Sequence, residues 1–238
     1  VTVRDPDNNR TPFSNNTIPP SRFNSVSSKI QTKYFPLPNV PNPNQVTANH
    51  ETFGPTTTSR EEALDLRLDH RIGDKHWIFG RLGGSQFDNR GFDSNLPAMG
   101  FTSTTRKLYS AVLSYTYNLS ASLLNEVRAG FMRDNNPSAG NRNGREALQE
   151  LGIQFPASLP PPDVRGFPVI NVSGIQLLSQ SATATNIQAS YQFTDTVSWI
   201  HDRHTFKGGL NMYLEQPISA RIPAGVHGNF AFSGTTFT

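Results

Sequence analysis

Apolar and polar residues alternate strictly over one stretch of the chain, and the other elements are placed around it. From Leu64 to Ile72, Leu64, Leu66, Leu68 and Ile72 fall on one side and Asp65, Arg67, Asp69 and Arg71 on the other. His70 is the one polar residue in the apolar series. A period of two over this length predicts an extended strand with one greasy and one charged face. Gly73-Asp74-Lys75 supplies a tight turn, because Gly and Asp tolerate the backbone angles of a hairpin. His76–Leu82, rich in aromatic and branched residues, returns as a second strand. Its faces are ambiguous, since Arg81 shares parity with Trp77 and Phe79. Four charges in one row are costly unless that face is wet.

The same pattern recurs downstream. Leu108–Tyr117 carries Tyr109, Ala111, Leu113, Tyr115 and Tyr117 on one face against Ser110, Ser114 and Thr116. After a short turn at 118–121, Ser122–Arg133 sets Leu123, Val127, Ala129 and Phe131 opposite Glu126 and Arg128. Ala189–Ile200 keeps Tyr191, Phe193, Val197 and Trp199 in phase. His201-Asp202-Arg203 turns the chain, and His204–Tyr213 makes a sixth strand. Asp195 shares the apolar phase, so it faces lipid in a membrane unless a bulge shifts the register. None of the six strand candidates contains proline.

The connections alternate in length. Short turns at 73–75, 118–121 and 201–203 contrast with long loops at 83–106 and 134–188. The second loop holds a predicted helix at Arg145–Leu151 stopped by Gly152, a break at Pro160-Pro161-Pro162, and FPVINVSG at Phe167–Gly174. Residues 1–58 form a Pro- and Asn-rich region, with a short helix suggested by Phe23, Val26 and Ile30. Residues 59–213 hold three hairpins, and residues 214–238 a loop and the start of a further strand. An ordinary sandwich has turns every ten or so residues. Short turns at one end and long loops at the other describe an outer-membrane barrel, and strands of roughly 7–12 residues suit a tilted crossing. The expected fold is therefore all-β: about six to seven strands of a larger antiparallel transmembrane β-barrel with long extracellular loops.

Composition narrows the function classes. At 35% hydrophobic residues and a mean hydropathy of −0.48, the 238-residue chain is too lean to fill a large dry core. A net charge of +3 with scattered basic residues argues against nucleic acid as a partner. No cysteine occurs, which removes disulfides and thiolate chemistry. The opening VTVRDPDNN, without Met or a signal peptide, reads as an internal piece of a longer protein.

Several segments together resemble a known family. R-L-D-H-R-x₃-K-H-x₂-F-G-R (Arg67 to Arg81), N-E-V-R-A-G-F-x-R (Asn125 to Arg133) and H-T-F-K-G-G (His204 to Gly209) are similar to barrel segments of TonB-dependent outer-membrane receptors. The resemblance is strongest to the Oar-like group, which carries an N-terminal carboxypeptidase-regulatory-like domain. Pro12-Phe13 through Ile18-Pro19, Arg22, the Tyr34 to Asn39 stretch and F-x-G-T-T-F-T at Phe232–Thr238 add to it. The resemblance implies energy-coupled uptake of a scarce nutrient, such as an iron chelate, oligosaccharide or peptide, with the inner-membrane protein TonB as partner. TonB would engage a region absent from this sequence.

No enzyme site, cofactor or metal centre is expected. The spacing of His201 and His204 lacks a third ligand, and no nucleophile accompanies the carboxylates. The expected lumen-facing polar residues are Asp65, Arg67, Asp69, Arg71, Glu126, Arg128 and Lys207. The expected interfacial aromatics, set against outer-membrane lipid, are Trp77, Tyr109, Tyr117, Trp199 and Tyr213. The alternative is a secreted or surface β-rich adhesin or glycan-binding module, whose apolar strand faces would be buried against a second sheet.

Overall fold

The structure, a computed structural model, describes residues 2–40, 49–51, 57–92, 96–158, 161–180, 182–223 and 225–232. Pro41, Pro43, Pro55, Pro160 and the 233–238 part of the C-terminal motif lie outside these residues. Six long strands make one antiparallel sheet in the order β1 (Thr58–Ile72), β2 (His76–Phe92), β3 (Phe101–Ser120), β4 (Leu123–Gly140), β7 (Ala184–His201) and β8 (His204–Arg221). Between β4 and β7 the chain forms α2 (Gly144–Leu151), β5 (Phe167–Val172) and β6 (Leu178–Gln180). α1 (Ser25–Tyr34) precedes the sheet and β9 (Asn229–Phe232) follows it.

The register sorts every side chain of the sheet. Leu66, Leu82, Ala111, Phe131, Tyr191 and Leu214 stand in one row across the six strands. Leu68, Gly80, Leu113, Ala129, Phe193 and Met212 form the next. These rows are exposed: Leu68 is 69% and Leu113 57% accessible. A soluble sandwich would bury this face under a second sheet, yet among the described residues nothing covers it. Toward the long-loop end the series ends in Glu62, Gln86, Lys107 and Asn135, paired along one row. From Leu64 to Ile72 the apolar series runs about 26 Å at ~3.3 Å per residue. With a tilt of ~40° that becomes about 20 Å of height, close to the ~25 Å apolar band of outer-membrane barrels.

The strands, of 15 to 20 residues, exceed what a crossing needs. The connection expected at 83–106 narrows to 93–100, and that at 134–188 to 141–183, because polar residues such as Gln86, Asp88 and Arg106 continue the ladders past the apolar rows. The extended strands take in two prolines. Pro217 sits on edge strand β8. At Pro137 the β3–β4 register passes from Thr104 opposite Ser138 to Lys107 opposite Asn135, as the missing proline N–H requires.

Among the described residues, every buried apolar side chain lies away from the sheet, in a cap at its long-loop end. Tyr34, Leu96, Met99, Ala147, Leu151, Phe167, Ile170 and Leu178 form that core. α1 starts at Asn24, whose side chain accepts from the Val26 and Ser27 amides, and α2 starts at Asn143, which accepts from Arg145 and Glu146. Gly152 ends α2 with φ of 79°, the left-handed cap expected of glycine there. FPVINV becomes β5, the centre of a three-stranded sheet with β6 antiparallel and β9 parallel to it. Of residues 229–238, expected to start a further barrel strand, the described part, Asn229–Phe232, closes the cap instead.

Candidate functional site

One face of the six-stranded sheet is a wall of paired charges. Asp65, Arg67, Asp69 and Arg71 alternate with the leucines of β1, and the register sets them opposite Gly83, Arg81, Phe79 and Trp77. Arg81 therefore belongs to the charged face with Trp77 and Phe79, which settles the faces of the second strand. Its guanidinium donates to Asp65 Oδ1 at 2.9 and 3.1 Å. Gly83 makes room for this pair, since a Cβ there would lie 2.8 Å from Asp65 Oδ1 and 2.7 Å from Ser110 Oγ. Arg67 donates twice to Asp69, both at 2.8 Å, while its guanidinium lies 4.3 Å from the centre of the Phe79 ring. Arg128 reaches Glu126 at 2.7 Å and approaches the same ring at 5.8 Å. Phe79 is thus a shared platform for two arginines whose charges are already balanced. Lys207 stands on the same face, opposite Ser198. All seven expected wall residues share this face.

The five expected interfacial aromatics divide between the faces. Tyr109, Tyr117 and Trp199 stand on the apolar face, Tyr109 over Gly84 at the long-loop end. Near the short turns, Tyr117 stacks on His76 at 4.6 Å and Trp199 on Phe206 at 5.5 Å. Trp77 and Tyr213 stand on the charged face, opposite Arg71 and Gln192. A period of two in a strand flanked by Ile78 and Leu82 leaves no lipid-side position for Trp77. Asp195 stays on the apolar face, because the β4–β7–β8 ladders run through it without a bulge.

Charged side chains of the cap tie its core to the strand ends. Arg142 donates to Met99 O at 3.1 Å and to Ala98 O, and its guanidinium lies 5.3 Å from the Tyr34 ring and 6.0 Å from Phe167. Gln180 is the hub beside it: its amide donates to Met99 O, Phe101 O and Asn141 Oδ1, and its carbonyl accepts the Arg142 amide. Lys33 of α1 pairs with Glu150 of α2. Tyr34 is fully buried and its hydroxyl has no hydrogen-bond partner among the described residues. Burial pushes that phenol above its ordinary range, with Arg142 opposing and Glu150 adding. His227 packs against Gly144, Nε2 at 3.2 Å from Pro162 O. Burial pushes this imidazole below its ordinary range despite the carbonyls of Pro162 and Val164. Arg142, Gln180 and His227 were invisible in the sequence, where lone polar residues in a long loop carry no periodicity.

A hollow of about 540 Å³ lies on the apolar face where Gly80, Ala111 and Ala129 leave the sheet thin between Leu68, Leu113 and Phe131. It is acyl-chain space, since no polar group converges on it. The charged wall and the cap above it, not this hollow, have the chemistry for a polar ligand.

Searches of curated proteins and of solved structures return no match. A family model described as an outer membrane beta barrel domain matches residues 1–238. An apolar belt without a second layer, polar strand ends, short turns and a wet charged wall are what such a barrel requires, with lipid on one face and the lumen on the other. The chain belongs to the outer-membrane β-barrel domain family, and its place is the outer membrane.

Proposed function

We propose that this wall and cap belong to a TonB-dependent receptor of the Oar-like kind, importing a scarce nutrient through energy supplied from the inner membrane. The cap is the observation that carries the reading. α1 with Phe35, the segment 96–99, α2, β5, β6 and β9 contribute to a structure with its own dry core at the long-loop end of the barrel wall. A passive wall has no need of a second core at its mouth, whereas a receptor needs a shaped surface held by rigid strands. The motifs at Arg67–Arg81, Asn125–Arg133 and His204–Gly209 support the same family reading. Under it the ligand is captured at the cap and passes along the paired charges, none of which acts as a catalyst. The carboxypeptidase-regulatory-like domain and the TonB-binding segment belong to other parts of such a receptor.

Replacing residues 141–182 by a short turn between β4 and β7 tests this in the intact protein. The expected result is normal outer-membrane insertion, with cells no longer accumulating the nutrient that the wild type takes up. Deleting TonB should stop accumulation while leaving surface binding. Accumulation that persists in both strains would overturn the reading.

A further inference from the structure

Asp195 is a carboxylate in the apolar belt. Phe193 and Val197 flank it on β7, and Val127 and Leu210 stand opposite on the neighbouring strands. Asn125 donates to it at 2.6 Å, but among the described residues no cation pairs with it. A charge in this position is expensive and marks a site where something compensates it. Two side-chain rows nearer the short turn, Trp199 and Phe206 stack in an open pair, 43% and 53% exposed. Between the carboxylate and these rings lies Gly208, with nothing within 4 Å of where a Cβ would stand. The result is a groove of about 490 Å³ floored by Gly208 and bounded by Asp195, Trp199, Phe206 and Leu210.

The depth of the groove decides its occupant. The row of Val197 and Gly208, which runs between Asp195 and the ring pair, continues through Asn125 and Tyr117 to His76, whose Nδ1 is 2.7 Å from the Tyr115 hydroxyl. Such a run of Tyr, His and Asn marks the headgroup level on the short-turn side, below the wholly apolar row of Leu68 and the row of Leu66, where Tyr191 carries the one hydroxyl. A carboxylate beside an open aromatic pair suits an ammonium group. We propose that Asp195, Trp199 and Phe206 seat the primary ammonium of a phospholipid headgroup in the turn-side leaflet, with the acyl chains lying over Leu210 and Met212. A second copy of the chain fits less well, because the rows around Asp195 hold no Lys or Arg to complement it, and their imidazoles, His70 and His76, stand on β1 and β2 at the far side of the sheet.

Native mass spectrometry of the intact protein, released from bilayers with equal phosphatidylethanolamine and phosphatidylglycerol of matched chains, tests the assignment. Wild type should retain the ethanolamine lipid in about tenfold preference. Asp195→Asn should abolish the preference, Asp195→Glu should keep it, and Trp199→Leu should weaken it about threefold. Heat-dependent gel mobility confirms that each variant is folded. Equal retention of the two lipids by wild type, or an unchanged preference in folded Asp195→Asn, would overturn the proposal. So would a wild-type dimer that Asp195→Asn dissociates, which would assign the groove to a second copy.

Discussion

His227 shows how a single side chain can set the conditions under which the cap holds together. It is 1% exposed, and a Cβ on Gly144 would come within 2.2 Å of its ring, so the imidazole fills the space that glycine leaves. Burial favours the neutral form, and the folded-state pKa lies below that of the unfolded chain. The unfolded chain then binds more protons in the window between the two values, so stability rises with pH there. The contribution is complete above about pH 6.5, the ordinary histidine value, and is lost as pH falls from there through the folded-state pKa. Hydrogen exchange of α2 and β9, corrected for intrinsic rates, should therefore accelerate between pH 7.5 and pH 5.5. His227→Gln should flatten that dependence while leaving the barrel strands protected. An equal acceleration in the variant would assign the effect to another group.

At the scale of the element, the sequence displayed what obeys a period and concealed what does not. β1 was legible because Leu64 to Ile72 alternates almost without exception, and the apolar phases of β3, β4 and β7 followed for the same reason. The strand extensions were not, because above the membrane both faces meet water and residues such as Gln86, Asp88, Ser103 and Asn136 show no alternation. α2 was legible from its Gly152 stop, whereas β9 looked like a barrel strand because four residues of alternating pattern do not say which sheet they join. The seven wall residues stand on one face of the sheet. Arg81 and Trp77 were ambiguous only until Asp65 and Arg71 stood opposite Gly83 and Trp77. The two faces of β1 also differ in what they tolerate. Leu68→Arg places a charge in the lipid belt and should destabilise the folded barrel by about 2–4 kcal/mol. Asp69→Asn, one position along, removes only one partner of an exposed pair with Arg67 and should leave stability close to that of the wild type. Urea unfolding in lipid vesicles reads both, and similar costs would mean that the faces have been assigned wrongly.

For the whole molecule, the open question is how the wall closes. Among the described residues β1 and β8 each pair on one side only, and every residue of both is exposed. Outer-membrane barrels have eight strands or more, so six long strands cannot close on themselves, and a lipid-exposed edge with unpaired N–H and C=O groups does not persist in a bilayer. Further strands must flank β1 and β8, either from the same polypeptide or from other copies, and the two arrangements differ in what the edges touch. The absence of cysteine makes a direct assay possible. Arg67→Cys on β1 and Asn211→Cys on β8 lie in the wall but outside the cap, and Arg67 stands one register step from the row that Asn211 shares with Asp69. In a receptor barrel of about 22 strands, these two edges are separated by the strands that complete the circle. The double variant should then give no disulfide under mild oxidation of outer membranes. A ring built from copies would instead bring β8 of one beside β1 of the next, and the same oxidation would yield a ladder of covalent oligomers. That ladder would reject the single-barrel receptor while leaving the lipid belt, the charged wall and the cap as described.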